Sequence, residues 1–512
     1  MSAPTDTVAG AAAASGAAAS DAATLGLDAL DALPDAVARP GYARADVSAG
    51  IVHFGPGNFH RAHQAVYLDR LMNEGDGLDW GIVGASVMPG DAALREAMLD
   101  QDCLTTVVSE TATTSEARVT APMVGYLPVG DADAILDALA DPAIRIVSLT
   151  VTEGGYFVDA TTGRFDDAHP AIRRDAESFD APATVFGLIA RALAARRETG
   201  APAFTVMSCD NLPHNGAATR AAVTGLARLV DPGLADWIDA RSAFPNGMVD
   251  RITPATGERE RRRVREEFGV ADAAPVFCED YLQWVLEDRF ANGRPALERV
   301  GVEIVPDVAP YETMKIRILN GGHAVIAYAA GLLDVEYAHE AMAHPLVSGF
   351  LDRVERTEIL PTVPPVPGVD LEDYLATIAR RFANPRIGDT IARLCFDGSN
   401  RQPKFIVPTV ADRLAAGDPV DGLALVSALW CRYCEGRTEG GAEIRPNDPS
   451  WDRLVEVAAA SRDDPGAWLD MADVYGETGR DERFRDAFAN ALRAVREDGV
   501  AAALERHVGA AG

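Results

Sequence analysis

The feature that most limits the fold is an alternation of short apolar runs with helical segments that begins near Val47. Residues 50–54 (GIVHF) are predicted to form a first strand, residues 58–72 a helix, and residues 80–87 (WGIVGASV) a second strand. Strands that alternate with helices in this way are typical of βαβ units around a parallel sheet. The sequence therefore predicts an α/β fold for this half of the chain.

The pattern changes after about Pro310, where helical segments follow one another with turns between them. We expect a Rossmann-type dinucleotide-binding domain over residues 46–302 and a mostly α-helical substrate and catalytic domain over residues 303–512. An alanine-rich segment precedes both, with 11 alanines in the first 24 residues and no Lys or Arg before Arg39. Residues 1–45 are predicted to be a flexible extension, because this composition offers little apolar surface to bury.

Charge and hydropathy narrow the class of function. The 512-residue chain carries 47 Lys and Arg against 77 Asp and Glu, a formal net charge of −30. Such a chain is repelled by phosphate backbones and anionic lipid, and no apolar run approaches the ~20 residues that a bilayer requires. We expect no nucleic-acid partner, no membrane and a cytoplasmic location. The six scattered cysteines are expected to be reduced thiols.

A glycine pair between the first strand and the first helix is a candidate phosphate-binding turn. Gly55 and Gly57 are followed by Asn58 and Phe59 in the sequence GPGNFH. Glycines at this corner let the backbone approach a pyrophosphate, which then lies at the start of the helix. His60 takes the sixth position of the G-x-G-x-x-G motif, so an ordinary tight turn stays an alternative.

Further candidate ligand contacts follow the other strands. Asp91, after the second strand, is the nearest acidic residue for the adenosine ribose, and no arginine cluster follows it, so NAD is favoured while NADP stays possible. Glu153 and Asn211 each follow an apolar run, and ligands bind outside the carboxyl ends of parallel strands. Either stretch could instead be a plain turn. The pair His60 and His63 lacks further ligands, so no metal is expected.

Lys315, Asn320 and His323 lie in an otherwise apolar helical stretch. At ~100° per residue, Asn320 falls ~140° and His323 ~80° from Lys315, so the three share one side of a regular helix. Burial lowers the pKa of a lysine, which could then take the proton of a secondary alcohol as hydride leaves. Asn320, with Asn211, could stabilise the developing alkoxide. The two glycines after Asn320 suggest close approach of another group, while a snorkelling lysine and a core histidine remain alternatives.

Six sequence blocks, spread in order along the chain, are similar to one known family. They are IVHFGPGNFHRAHQAVYLD (51–69), TVTEGGYF (150–157), SCDNLPHNG (208–216), FPNGMVDRITP (244–254), MKIRILNGGH (314–323) and RLCFDGSNRQPKF (393–405). The chain resembles the long-chain, zinc-independent polyol dehydrogenases of the mannitol 2-dehydrogenase type, which include fructuronate and tagaturonate reductases. The resemblance implies a Rossmann-type domain, a largely helical domain and a site between them.

The resemblance also implies roles for single residues. Lys315 would be the general base of alcohol oxidation, Asn320 and Asn211 would form an oxyanion-type hole, and His323 would bind substrate hydroxyls. Three more positions match family residues that contact the polyol or exchange protons with solvent: Asp250, Arg393 and Glu312.

The expected function is an NAD(P)-dependent polyol 2-dehydrogenase that interconverts D-mannitol and D-fructose, or a related five- or six-carbon polyol and ketose. A monomer is expected rather than an obligate oligomer. One alternative is a hexuronate reductase, for which Arg317 and Arg393 could bind the substrate carboxylate. A non-catalytic dinucleotide-binding protein is the other alternative, and it is disfavoured because every candidate catalytic side chain is present.

Overall fold

The computed structural model describes residues 22–158 and 164–509. In these ranges the strands lie in the first 305 residues. Strands β1 to β14 are, in order, Ala23–Thr24, Val37–Ala38, Ala49–Phe54, Gly81–Ala85, Thr105–Glu110, Ser115–Thr120, Met123–Tyr126, Ile146–Leu149, Thr205–Ser208, Gly247–Asp250, Val270–Ala271, Val276–Glu279, Gln283–Glu287 and Glu303–Val305.

The α-helices are shared between the two halves of the chain. Helices α1 to α9 are Asn58–Ala62, Gln64–Asn73, Ala92–Asp100, Ala132–Ala140, Pro170–Glu177, Val185–Thr199, Asn215–Val230, Pro232–Arg241 and Glu258–Phe268. Helices α10 to α23 are Ala309–Met314, Gly321–Leu332, Ala338–Ala343, Pro345–Val354, Leu371–Phe382, Ile391–Cys395, Gly398–Phe405, Val407–Ala416, Asp421–Tyr433, Trp451–Ala460, Gly466–Leu469, Ala472–Tyr475, Glu482–Glu497 and Val500–Gly509.

A five-stranded parallel sheet organises the first half, in the order β7-β4-β3-β8-β9. Successive side chains of the central strand β3 point to opposite faces, so Ile51 packs in one apolar cluster while Val52 and Phe54 pack in another. Both faces are therefore covered, as the long apolar runs in the sequence require. This corresponds to the order 3-2-1-4-5 of the first five strands of a Rossmann sheet, and the order reverses between β3 and β8, where such sheets bind ligands.

Two smaller sheets flank this core, in the orders β12-β5-β6-β2 and β10-β13-β14. The second sheet carries Asp250 at the end of β10, which pairs with β13 in antiparallel fashion. The last strand ends at Val305 and the helical half begins with α10 at Ala309. The change from strands to helices thus falls between Val305 and Ala309.

The prediction of a flexible extension as far as residue 45 is wrong for the part that the structure describes. Strand β1 pairs with β11, and β2 extends the sheet beside β6. Leu25, Leu33 and Val37 are buried in an apolar cluster with residues of β5, β6 and α9. The prediction considered the alanine-rich composition of the segment and overlooked the apolar surface that these three side chains can bury. Residues 1–21 lie outside the described residues.

The predicted helix over residues 58–72 is interrupted. Helix α1 ends at Ala62 and α2 begins at Gln64, because His63 between them has φ −118° and ψ −89°. The His63 Nε2 lies 2.9 Å from the carbonyl oxygen of Gln283, and its ring contacts those of Phe59 and Trp284. The hydrogen bond between His63 and Gln283, which lie 220 positions apart, therefore offsets the loss of helical hydrogen bonding at His63.

The helical half is built around one large apolar core. Helix α18 lies at its centre and is buried on nearly all sides, between α11 and α22. In residues 22–158 and 164–509 no helix combines the length and apolar character needed to cross a bilayer.

Candidate active site

A cavity of about 690 Å³ lies between the carboxyl ends of the central strands and the helical half. Its walls come from both halves of the chain. The Rossmann side contributes Gly55, Gly57, Asn58, Phe59, Asn211 and Asp250, and the helical side contributes Lys315, Asn320, His323, Arg393 and Arg401. The structure therefore brings together most of the site residues that the sequence predicted, although they span more than 300 positions.

The glycine turn after β3 requires glycine at its first position. Gly55 has φ +83°, and a Cβ atom there would lie 2.2 Å from the carbonyl oxygen of Thr150. The Thr150 hydroxyl also donates a 2.5 Å hydrogen bond to the Gly55 carbonyl. The turn is thus held tightly against the end of β8, with its backbone exposed to the cavity.

Asn58 and Phe59 differ in what they do at this turn. The Asn58 amide donates to the Pro254 carbonyl (3.3 Å) and the Thr256 hydroxyl (3.1 Å), and its oxygen accepts from Arg61. Its side chain therefore ties the turn to the 254–256 loop. Phe59 lines the cavity.

Asp91 does not line the cavity, and the side chain of Glu153 is not among the described residues. Asp91 ends a short 3₁₀ turn (Pro89–Asp91) six residues after β4 and is not among the residues that line the cavity. Glu153 begins the 3₁₀ turn Glu153–Tyr156, and its side chain lies outside the described part of the structure. Their roles toward a dinucleotide remain predictions.

Lys315 is buried, with 6% of its surface exposed. Its Nζ donates hydrogen bonds of 2.7 Å to the Asn211 Oδ1 and to the Val249 carbonyl oxygen. Burial lowers the pKa of Lys315 below its ordinary value of 10.5, and the nearby Asp250 carboxylate opposes this shift. The hydrogen bond occupies the oxygen of Asn211 and leaves the Nδ2 amide as a donor for substrate.

Lys315–Asn320 forms a π turn between α10 and α11, which the sequence did not predict. A π turn bonds residue i to i+5 rather than i+4. Lys315 and Asn320 are five positions apart, so the angle between them around the helix axis is smaller than the ~140° expected of a regular helix. The Asn320 Oδ1 and the His323 Nε2 are buried and have no hydrogen-bond partner among the residues that the structure describes, and both residues line the cavity. Both atoms are therefore available to a polar ligand.

His323 is held flat against Phe382, with ring centroids 4.1 Å apart. Burial lowers the pKa of His323 well below its usual value, and nearby arginines lower it further, so the ring is neutral. The close approach suggested by the glycine pair is also present. A Cβ atom on Gly322 would lie 2.5 Å from the Glu355 Oε1.

Asp250 and Arg393 line the cavity, but each is already paired with a side chain of opposite charge. The Asp250 carboxylate accepts hydrogen bonds from the Arg381 Nη1 (2.7 Å) and Nη2 (3.0 Å). Arg393 donates from Nε and Nη2 to the Asp389 carboxylate at 2.5 Å. The Arg393 Nη1 is not part of that pair.

Glu312 lies outside the main cavity. It lines an adjoining cavity of about 460 Å³, which shares Lys315, Asn211 and Asn320 with the first. Its carboxylate accepts from the His214 backbone N–H, and burial raises the pKa of Glu312. The two cavities therefore meet at the lysine amine.

Sequence reasoning missed Arg401 and Arg381. Arg401 lines both cavities, and burial together with Arg393 lowers its pKa. Arg401 lies in the block 393–405, so that block could have indicated it. Arg381 contacts residues 102 and 131 positions away, and no local pattern could have found it.

The six cysteines are free and buried. Within the described residues no three His, Cys, Asp or Glu side chains are arranged to hold a metal ion.

The fold and the site together define a nicotinamide-dependent oxidoreductase with its site between two domains. Sequence models described as the mannitol dehydrogenase Rossmann domain and the mannitol dehydrogenase C-terminal domain match residues 49–299 and 307–496. The chain belongs to the mannitol dehydrogenase family.

Individual relatives agree with this assignment. The mannitol 2-dehydrogenase of Cereibacter sphaeroides is 57% identical over 475 residues, which is 93% of this chain and 99% of that protein. The Pseudomonas fluorescens mannitol 2-dehydrogenase, solved as a ternary complex with NAD and D-mannitol, is 42% identical with a TM-score of 0.86, over 95% of this chain and all of that one. A D-sorbitol dehydrogenase in substrate-free form is 36% identical with a TM-score of 0.88, over 94% of this chain and all of that one.

Proposed function

We propose that this protein is an NAD-dependent mannitol 2-dehydrogenase, which interconverts D-mannitol and D-fructose. The observation that carries the proposal is the buried Lys315 amine, 2.7 Å from Asn211 and facing the same cavity as the glycine turn. The named activity of the relatives supports the substrate, since the 57% identical protein is a mannitol 2-dehydrogenase. The solved complex of the 42% identical relative contains both NAD and D-mannitol.

The residues at the turn fit a dinucleotide. A side chain at Gly55 would fill the space between the turn and β8, so only glycine leaves the backbone free to approach a pyrophosphate. Gly57, Asn58 and Phe59 would complete this contact. Asp91 would bind the adenosine ribose, and Glu153 would be a further cofactor contact. NAD, when bound, accepts the hydride from the substrate carbinol.

Lys315 supplies the general base. Burial lowers the pKa of Lys315, which favours the neutral amine, and the neutral amine can take the proton of the reacting hydroxyl. The O–H and C–H bonds of the carbinol break, the carbonyl double bond forms, and the proton stays on the Lys315 Nζ. In ketone reduction the same ammonium returns the proton.

The amides stabilise the oxygen on which charge develops. The Nδ2 amide groups of Asn320 and Asn211, two residues that line the cavity, would donate hydrogen bonds to this oxygen during the reaction. His323, Arg393 and Asp250 would contact the other hydroxyls.

Glu312 would pass the proton to solvent. It lines the adjoining cavity, which also reaches the amine of Lys315, so a proton can leave without crossing the bound polyol.

The hexuronate alternative is weakened by the position of Arg317. Its guanidinium donates to the Thr362 carbonyl and to Asp412, and it does not line the cavity. Arg393 is paired with Asp389, and the other arginines that line the cavity are Arg251 and Arg401. The Arg251 guanidinium donates to the Glu279 and Ala62 carbonyls and to the Ser109 hydroxyl. The prediction that Arg317 could bind a substrate carboxylate is therefore wrong.

A steady-state panel tests the proposal. D-mannitol, D-arabinitol and D-sorbitol are compared with D-fructose and fructuronate, each with NAD(H) and NADP(H). We expect the highest kcat/KM for D-mannitol with NAD. Preference for fructuronate would identify a hexuronate reductase, and NADH binding without turnover of any substrate would identify a non-catalytic protein.

Lys315→Ala is the matching variant. Loss of the base should lower kcat by at least ~10²-fold and leave the NADH affinity near that of the wild type. An unchanged kcat would exclude Lys315 as the base.

The physical state of the protein is also a proposal. We expect a monomer located in the cytoplasm, and sedimentation analysis together with cell fractionation tests both expectations.

A further inference from the structure

A buried ion network joins the two halves of the chain beside the reacting amine. Arg381 of α14 reaches from the helical half to the ends of β10 and β12. It donates to both oxygens of Asp250 (2.7 and 3.0 Å) and to both oxygens of Glu279 (2.7 and 2.8 Å). All three side chains are at least nine-tenths buried, at 6%, 5% and 1% exposed.

The Arg381 guanidinium forms two bidentate ion pairs and also stacks on an aromatic ring. One edge of Arg381 pairs with Asp250, the other edge pairs with Glu279, and the carbon between them lies 4.1 Å from the ring centre of Tyr281. A lysine has one point charge and no planar fork, so it cannot form both pairs or stack in this way. The position therefore requires arginine for a geometric reason.

The network bears directly on Lys315. The amine donates to the carbonyl of Val249, whose neighbour in the chain is Asp250. The Asp250 carboxylate raises the pKa of Lys315 while the Arg381 guanidinium lowers it. Burial raises the pKa of Asp250, but the positive charges of Arg381 and Lys315 outweigh burial and hold this pKa below its ordinary value. The charges of the three groups are thus mutually dependent.

Two other titratable groups face the amine. Glu312 of α10 raises the pKa of Lys315. His63, between α1 and α2, is kept neutral because burial lowers its pKa to about 3. Neither group is a hydrogen-bond partner of Arg381, although the Asp250 carboxylate slightly opposes the lowered pKa of His63.

We propose that Arg381 is a positioning residue of the reaction, which holds Asp250 and Glu279 so that the wall of the Rossmann half keeps a fixed place against the Lys315 amine. The inference rests on the proposed function, since it assigns a role in the same proton transfer. Nothing in the local sequence indicates this role, because both partners are more than 100 positions away.

The test measures kcat/KM for D-mannitol oxidation against pH in four variants. Arg381→Gln removes the positive charge that lowers the pKa of Lys315 and leaves Asp250 without its ion pair. The pH at which kcat/KM reaches half of its maximum (the midpoint) should therefore move up by about one pH unit or more. Glu279→Gln removes a negative charge and leaves more of the Arg381 charge unbalanced, so the midpoint should move down. Arg381→Lys keeps the charge but loses the fork, so kcat should fall about 10- to 100-fold with a smaller change in midpoint.

Arg380→Gln is the matched control. Arg380 is the exposed neighbour on the same helix and donates to Thr377, so its variant should keep the wild-type profile. Midpoint shifts of opposite sign in Arg381→Gln and Glu279→Gln are the signature that a purely structural role would not produce. Should Arg381→Gln fail to fold, Glu279→Gln carries the test.

Two failures are distinguishable. Unmoved midpoints in folded variants, with wild-type turnover of D-mannitol, would overturn the role of Arg381 alone. A wild-type protein that oxidises no polyol with NAD would instead overturn the proposed function.

Discussion

Gly55→Ala tests whether the glycine turn holds the cofactor. Gly55 has φ +83°, where an L-residue costs about 1–2 kcal/mol before any contact is counted. The new Cβ would also lie 2.2 Å from the Thr150 carbonyl oxygen and 3.1 Å from its carbon. Both atoms belong to the backbone at the end of β8, so the overlap is relieved only by movement of the turn itself.

The expected effect on binding follows from that movement. If the turn contacts the pyrophosphate, its displacement should weaken NADH binding at least tenfold, which corresponds to about 1.4 kcal/mol. The free energy of unfolding should fall by about 2 kcal/mol or more, because strain and overlap add. Fluorescence titration with NADH gives the first quantity and chemical denaturation gives the second.

Gly75→Ala is the control for strain alone. Gly75 has φ +81°, but no atom lies within 4 Å of the position of its Cβ. This variant should lose about 1 kcal/mol of stability and keep its NADH affinity. If Gly55→Ala binds NADH as tightly as Gly75→Ala does, the turn is not the pyrophosphate site.

Further predictions concern the chemistry. Because burial lowers the pKa of Lys315 below 10.5 and its neutral form is the base, polyol oxidation should rise with pH to a midpoint below 10.5, while ketone reduction should fall over the same range. Initial rates in both directions check this, and a flat profile would contradict it. Asn320→Ala should lower kcat by about 10²- to 10³-fold with unchanged NADH affinity, whereas a change confined to KM would limit Asn320 to substrate binding. EDTA should not inactivate the enzyme, because the Lys315 amine is the proposed base and amide groups are the proposed donors to the developing alkoxide; inactivation that zinc reverses would refute this expectation.

Local signals predicted much of the fold. The strand at residues 49–54 and the turn at Gly55 have local sequence signals, an apolar run and a glycine spacing, so both could be predicted although distant residues hold them in place. The buried lysine, amide and imidazole were also identified, because three polar groups in an apolar stretch are costly to bury without a function.

Long-range contacts decided the rest. The break at His63 depends on a carbonyl 220 residues away, and the pairing of Asp250 depends on Arg381, 131 residues away. The folding of residues 22–45 depends on strands β6 and β11, which lie later in the chain. The π turn at Lys315 changes the angular spacing of the site, and no simple periodicity reveals such a turn from sequence.

That π turn has a consequence for protein engineering. Copying Lys315, Asn320 and His323 onto an ordinary helix of another scaffold would not reproduce their mutual arrangement, because a regular helix separates the amine from the amide. A designer would have to transplant the irregular backbone together with the glycines that follow it and the acidic neighbour Glu355 that packs beneath them. The transferable unit is thus a backbone shape, and the three side chains alone are insufficient.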